Sequence, residues 1–68
     1  MYNYYMNKNS QSNDDNEVHK EGCAYMPNIE NRLHLGAFTN CQDAVNEALR
    51  HDSDADGCYW CSRDCHKS

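Results

Sequence analysis

Five cysteines and four histidines in 68 residues are the groups in this chain that can do chemistry. Four of them fall into two tight pairs with a structured stretch between them. His19-x3-Cys23 lies upstream, and Cys58-x2-Cys61 lies downstream, followed at once by Cys65 and His66. Zinc takes four tetrahedral nitrogen or sulfur donors, and closely spaced pairs let each half of a site fix two of them at small entropic cost. The spacing therefore points to zinc held by His19, Cys23, Cys58 and Cys61. Cys65 or His66 could stand in for His19, and Cys41 for Cys23.

The other candidates carry less. Cys41 opens a helical pattern, where the positive dipole end would lower a thiol's pKa and make it reactive, but a small buried cysteine is the plainer expectation. The run Asp52-Ser53-Asp54-Ala55-Asp56-Gly57 matches the first half of a calcium loop. Its twelfth position should be a bidentate glutamate and is Arg63 instead, so the run reads as a solvated connector. Cys58-x2-Cys61 could also be a redox dithiol, although the chain has no room for the βαβ unit that carries the thioredoxin-like version. His34 and His51 read as a strand-surface and a helix-end histidine. Tyr59 and Trp60, inside the knuckle, either form a contact patch or cover the metal site.

Such a site needs elements to position it, and the chain has little else to build with. Its large aliphatic and phenylalanine side chains are Val18, Ile29, Leu33, Leu35, Val45, Leu49 and Phe38. A core of that size supplies at best about 3–5 kcal/mol without a staple. The odd cysteine count and the absence of a secretory signal predict a cytoplasmic chain with reduced thiols, so metal is the expected staple rather than a disulfide framework. No segment approaches the length of a membrane span. A net charge of −5, with six Lys and Arg against eleven acids, argues against nucleic-acid binding and leaves a protein partner.

Residues 1–16, rich in Asn, Ser, Asp and Tyr, are expected to form a disordered tail, and 17–68 the zinc-binding domain. Glu17-Val18-His19-Lys20 reads as a short strand, and Arg32–Phe38 as a second with Leu33 and Leu35 inward. A helix starts at Thr39–Asp43, capped by Thr39 with Gln42 or by Asn40 with Asp43. Ala44, Val45, Ala48 and Leu49 form its buried stripe, and it stops near His51. The expected fold is a small α+β domain stapled by zinc, a short hairpin or sheet packed on one helix.

The pattern His19-x3-Cys23, Leu35-Gly36-x-Phe38, Asp43-Ala44-x5-Arg50 and Gly57-Cys58-x2-Cys61 resembles the N-terminal metal-binding domain of the Ada alkylation-repair protein and small Ada-like modules appended to some bacterial nucleases. The resemblance covers residues 19–61. It implies a small α/β zinc fold with His19, Cys23, Cys58 and Cys61 at the ligand positions. The family's methyl-accepting cysteine corresponds to His19, so the resemblance carries over the site without methyl transfer. Together these readings predict a structural-zinc module that acts through protein contacts at Tyr59 and Trp60 and is not an enzyme. The alternatives are a thiol-dependent redox sensor or enzyme using Cys41, Cys58, Cys61 or Cys65, and a nucleic-acid-associated accessory module by family analogy.

Overall fold

A computed structural model describes residues 1–8 and 16–66. Among them are four strands, β1 (Tyr2–Asn7), β2 (Asn16–Lys20), β3 (Arg32–Phe38) and β4 (Ala55–Gly57), and one helix, α1 (Cys41–Leu49). The strands form one mixed sheet in the order β3-β1-β2-β4. β1 runs antiparallel to both β2 and β3, while β2 and β4 are parallel. The helix packs across one face of the sheet. Tyr4, Met6, Val18 and Leu35 meet Ala44, Val45, Ala48 and Cys65 there.

The N-terminal segment corrects the expected disordered tail. Tyr2–Asn7 is an inner strand, paired on both edges. Its alternation is of tyrosine and methionine with asparagine and tyrosine, and it buries Tyr4 and Met6. Tyrosine rings bury large apolar area, and aromatic residues suit a pleated surface, so a segment that looks polar by composition serves as core. Lys20 sits 3.7 Å over the Tyr2 ring and Arg32 4.7 Å over the Tyr5 ring, closing the strand's outer rings under cations. Asn16 also belongs to β2 rather than to a tail. The rest of the expected tail, 9–15, lies outside the described residues.

β3 has the expected bounds. Opposite the Tyr4–Tyr5 step it carries one extra residue, Leu35, because Tyr4 pairs with Gly36 and Tyr5 with His34. Gly36 at this bulge has φ +126°, a conformation that side chains disfavour. Alternation puts Leu33 and Leu35 on the core side, the bulge shifts the phase so that Phe38 returns to it, and His34 turns outward to Asn3 Oδ1 at 3.0 Å. The helix starts at the second of the two expected caps. Asn40 Oδ1 accepts from the Asp43 N–H at 2.9 Å. Ala44, Val45 and Ala48 are buried, whereas Leu49, expected on the same stripe, is 42% exposed. At the far end Glu47 pairs with Arg50 and His51, both at 3.2 Å.

The acidic connector after the helix is a turn leading into β4. Asp52 accepts from the Asp54 N–H at 2.8 Å and from Asn16, and Asp56 is buried in the strand. Its carboxylates are distributed over turn and strand. No helix among the described residues is long and apolar enough to cross a membrane.

Candidate metal centre

β2 alternates, so Val18 enters the core beneath α1 and His19 takes the opposite face. After Lys20 the chain turns through Glu21-Gly22, with Gly22 at φ +88°, and the Cys23 N–H returns to the Lys20 carbonyl at 3.1 Å. That turn brings Cys23 back beside His19. The parallel partner β4 ends at Gly57, opposite Val18, and the Cys58 N–H donates to the Val18 carbonyl at 2.9 Å. The next turn closes with Ser62 N–H to Cys58 O at 2.9 Å and swings Cys61 inward. Two tight turns at neighbouring strand ends thus deliver two donors each.

The donor atoms of His19, Cys23, Cys58 and Cys61 all lie within 4.8 Å of one another and could hold a metal ion. His19 Nδ1 is 3.6 Å from Cys23 Sγ and 3.9 Å from Cys61 Sγ, and Cys23 Sγ is 3.9 Å from Cys58 Sγ. With metal–sulfur bonds of about 2.3 Å and metal–nitrogen bonds of about 2.0–2.1 Å, tetrahedral edges come to about 3.8 Å between sulfurs and about 3.5 Å from nitrogen to sulfur. The His19–Cys23 and Cys23–Cys58 edges match, and the His19–Cys61 edge is longer by about 0.4 Å. His19 and Cys58 are fully buried, and Cys23 and Cys61 are half-buried.

The electrostatics fit a cation as well. Burial lowers the pKa of His19 and so keeps it neutral, with the lone pair a ligand needs. Burial raises the Cys58 thiol, opposed by the backbone N–H groups of Cys61 and Trp60 that reach its sulfur. Cys61 is pushed up to about 12 by burial and by the neighbouring Cys23 and Cys58 thiols, against the Lys20 N–H at 3.3 Å. Thiols crowded together in this way resist ionisation until a central positive charge stabilises them. The N–H groups aimed at Cys58 and Cys61 are donors to thiolate charge.

Three further residues were candidate ligands, and the structure corrects all of them. Cys41 and Cys65 are joined in a disulfide, with their Cα atoms 6.3 Å apart. This also replaces both expectations for Cys41, the reactive thiolate and the free buried thiol. His66 turns to the Gly57 carbonyl at 3.0 Å and to Asp56 at 3.6 Å, outside the cluster. The oxidised pair departs from the reduced thiols expected of a cytoplasmic chain. One signal for the bond was present in the sequence. Three cysteines among the four candidate ligands leave two of the chain's five unassigned.

Around the cluster, Trp60 is 65% exposed and stacks on Tyr25, with ring centroids 5.3 Å apart. Tyr59 meets Trp60 edge-on at 4.9 Å and His66 at 5.4 Å, under the Arg63 guanidinium. A cavity of about 360 Å³ opens beside Trp60 and Cys61, between Lys20 and Arg63. The part of Tyr25 was not foreseen, because nothing in the spacing ties residue 25 to residue 60.

No protein family, curated protein or solved structure matches this chain, and nothing in those comparisons links it to the Ada-like modules.

Proposed function

We propose that this chain is a small structural-zinc module that acts through contacts with another protein and has no catalysis of its own. The observation that carries the reading is the set of four donors, His19, Cys23, Cys58 and Cys61, all within 4.8 Å of one another, with His19–Cys23 and Cys23–Cys58 near tetrahedral edge lengths. One imidazole and three thiolates in a tetrahedron suit zinc, whereas oxygen-seeking cations would find no carboxylate in the set. Four protein donors leave no coordination position for water or substrate, which is the difference between a structural and a catalytic site. The proposed contact surface is the aromatic group of Tyr25, Tyr59 and Trp60, displayed beside Lys20 and Arg63 on an otherwise acidic chain. Exposed aromatics flanked by guanidinium are the composition of binding hot spots.

Kinship with Ada-like modules remains a proposal resting on spacing over 19–61, and His19 in the acceptor position gives that kinship no methyl transfer. Thiol chemistry is the weaker reading, since two of the five cysteines are bonded to each other. The test is native mass spectrometry of the full chain with added zinc, followed by chelation without reductant while amide NMR dispersion is monitored. One zinc per chain and collapse of dispersion on chelation are expected, because zinc binding to such sites is worth about 10–16 kcal/mol. A well-dispersed spectrum in excess chelator would overturn the structural role.

A further inference from the structure

His19 presents its two nitrogens to different surroundings. Nδ1 faces the sulfurs of Cys23 and Cys61 at 3.6 and 3.9 Å. Nε2 points away from them, is buried, and has no hydrogen-bond partner among the described residues. Its acidic neighbour is Glu17, whose Oε1 lies 3.8 Å away. A neutral imidazole that uses Nδ1 as a lone-pair donor must carry its proton on Nε2. A buried N–H with nothing to receive it is the arrangement that native structures avoid.

Glu17 is placed to receive it. It lies two residues before His19 on β2, hence on the same sheet face. Its backbone is held by pairing with Asp56 on β4, while its side chain is 35% exposed and needs to shift by only a fraction of an ångström to come within hydrogen-bond reach. Asp56, beside it, is turned to the Gly57 N–H at 3.0 Å and to His66 at 3.6 Å.

We infer that Glu17 is a positioning residue of this metal site, its carboxylate accepting the Nε2–H of His19 and thereby fixing the tautomer and ring plane that offer Nδ1 to the metal. The inference rests on the metal reading proposed above. Partners that orient a ligating histidine from behind contribute about 10–100-fold to metal affinity. Val18, between the two residues, keeps the strand anchored in the core whatever occupies position 17.

The test compares the full-length wild type with Glu17→Met, which keeps length without an acceptor, and Glu17→Gln, which keeps an acceptor without charge. Zinc affinity is measured by competition with a chromophoric chelator at one fixed pH, and the His19 ring nitrogens are observed by long-range ¹⁵N NMR in the loaded protein. Glu17→Met should bind zinc at least about tenfold more weakly, with Glu17→Gln in between. The Nε2–H signal should be sharp in the wild type, shifted upfield in Glu17→Gln and lost to exchange in Glu17→Met. A merely structural glutamate would leave that signal in place. Should Glu17→Met fail to fold, the Gln variant decides alone, and an unshifted Nε2–H overturns the inference. Equal zinc affinity across folded variants, or ring shifts that place zinc on Nε2, also overturns it while leaving the metal site standing. A wild type that takes up no zinc overturns the metal reading itself, and this inference with it.

Discussion

Gly57→Ala probes whether the Cys58–Cys61 knuckle and the helix are locked to each other through one close backbone contact. A Cβ at residue 57 would stand 2.8 Å from the carbonyl carbon and Cβ of Cys65 and 2.8 Å from the Ser62 carbonyl oxygen. Carbon atoms pack at about 3.5–4.0 Å, so the 62–65 segment would have to retreat by roughly 0.7 Å or more. The atoms in the way are backbone or attached to it, and cannot swing aside as a side-chain tip could. Cys65 is buried and bonded to Cys41 at the start of α1, while Cys58 and Cys61, either side of the turn, belong to the donor set. Retreat therefore strains the helix contact or tilts Cys61 away from the cluster.

Overpacking of this kind costs about 1–3 kcal/mol, and the upper part of that range applies because neither flank can yield. A chain this small should unfold in urea with an m-value near 1 kcal/mol per molar, so the zinc-loaded midpoint should fall by roughly 2 M. Zinc affinity should weaken in parallel. Gly22→Ala is the control, since its φ of +88° brings backbone strain but its Cβ would meet nothing within 4 Å. It should cost about 1–2 kcal/mol through conformation alone. If Gly57→Ala matches the wild-type midpoint and zinc affinity, the claimed lock between knuckle and helix does not exist.

Two further outcomes follow from the same packing. The Cys41–Cys65 bond spans a sequence separation of 24, for which the chain-entropy relation gives about 3.5 kcal/mol. The double variant Cys41→Ala, Cys65→Ala should unfold at correspondingly lower urea with its zinc stoichiometry unchanged, and an unaltered midpoint would refute the bond as a staple. Deleting residues 1–8 removes the inner strand and takes Tyr4 and Met6 out of the core. That truncated chain should show no amide dispersion even with zinc, and a dispersed spectrum would refute the placement of β1.

What the sequence made legible was what its local chemistry specifies. Leu33 and Leu35 alternate, so β3 could be bounded, and the two overlapping caps, Thr39 with Gln42 and Asn40 with Asp43, marked the start of α1 to within a residue. Paired donors at short spacing identified His19, Cys23, Cys58 and Cys61 as residues the fold brings together. The rest depends on partners far along the chain. β1 hides its apolar character in Tyr4 and Met6 between asparagines, and its register with β3 joins residues about thirty apart, which no local period encodes. β4 is three residues of an acidic run, and it becomes a strand only because β2 offers a parallel edge. The disulfide was legible only by elimination, as the two cysteines outside the donor set. Spacing does not determine cysteine pairing, and an expectation of reduced thiols gives no partner to the two that the metal set leaves over.

The donor cluster and the disulfide answer different weaknesses of the same segment. From Tyr59 to Cys65 the chain forms no strand, and its regular structure is the single turn at Arg63–Cys65. Such a segment would ordinarily fray, since each residue fixed costs about 1–2 kcal/mol of backbone entropy. Here the proposed metal would tie its first half to the end of β2 through Cys58 and Cys61, and Cys65 binds its second half to the first residue of α1. Gly57 seats the middle against Ser62. Tyr59 and Trp60 are the large hydrophobic residues left facing outward from this turn, and Trp60 is further braced by Tyr25 from the other knuckle. Large exposed aromatics lose affinity for a partner when they must be ordered on binding, and gain it when the scaffold has ordered them beforehand. The proposed structural zinc would therefore serve binding directly, by fixing both aromatic-bearing turns to one point so that a partner meets them already arranged.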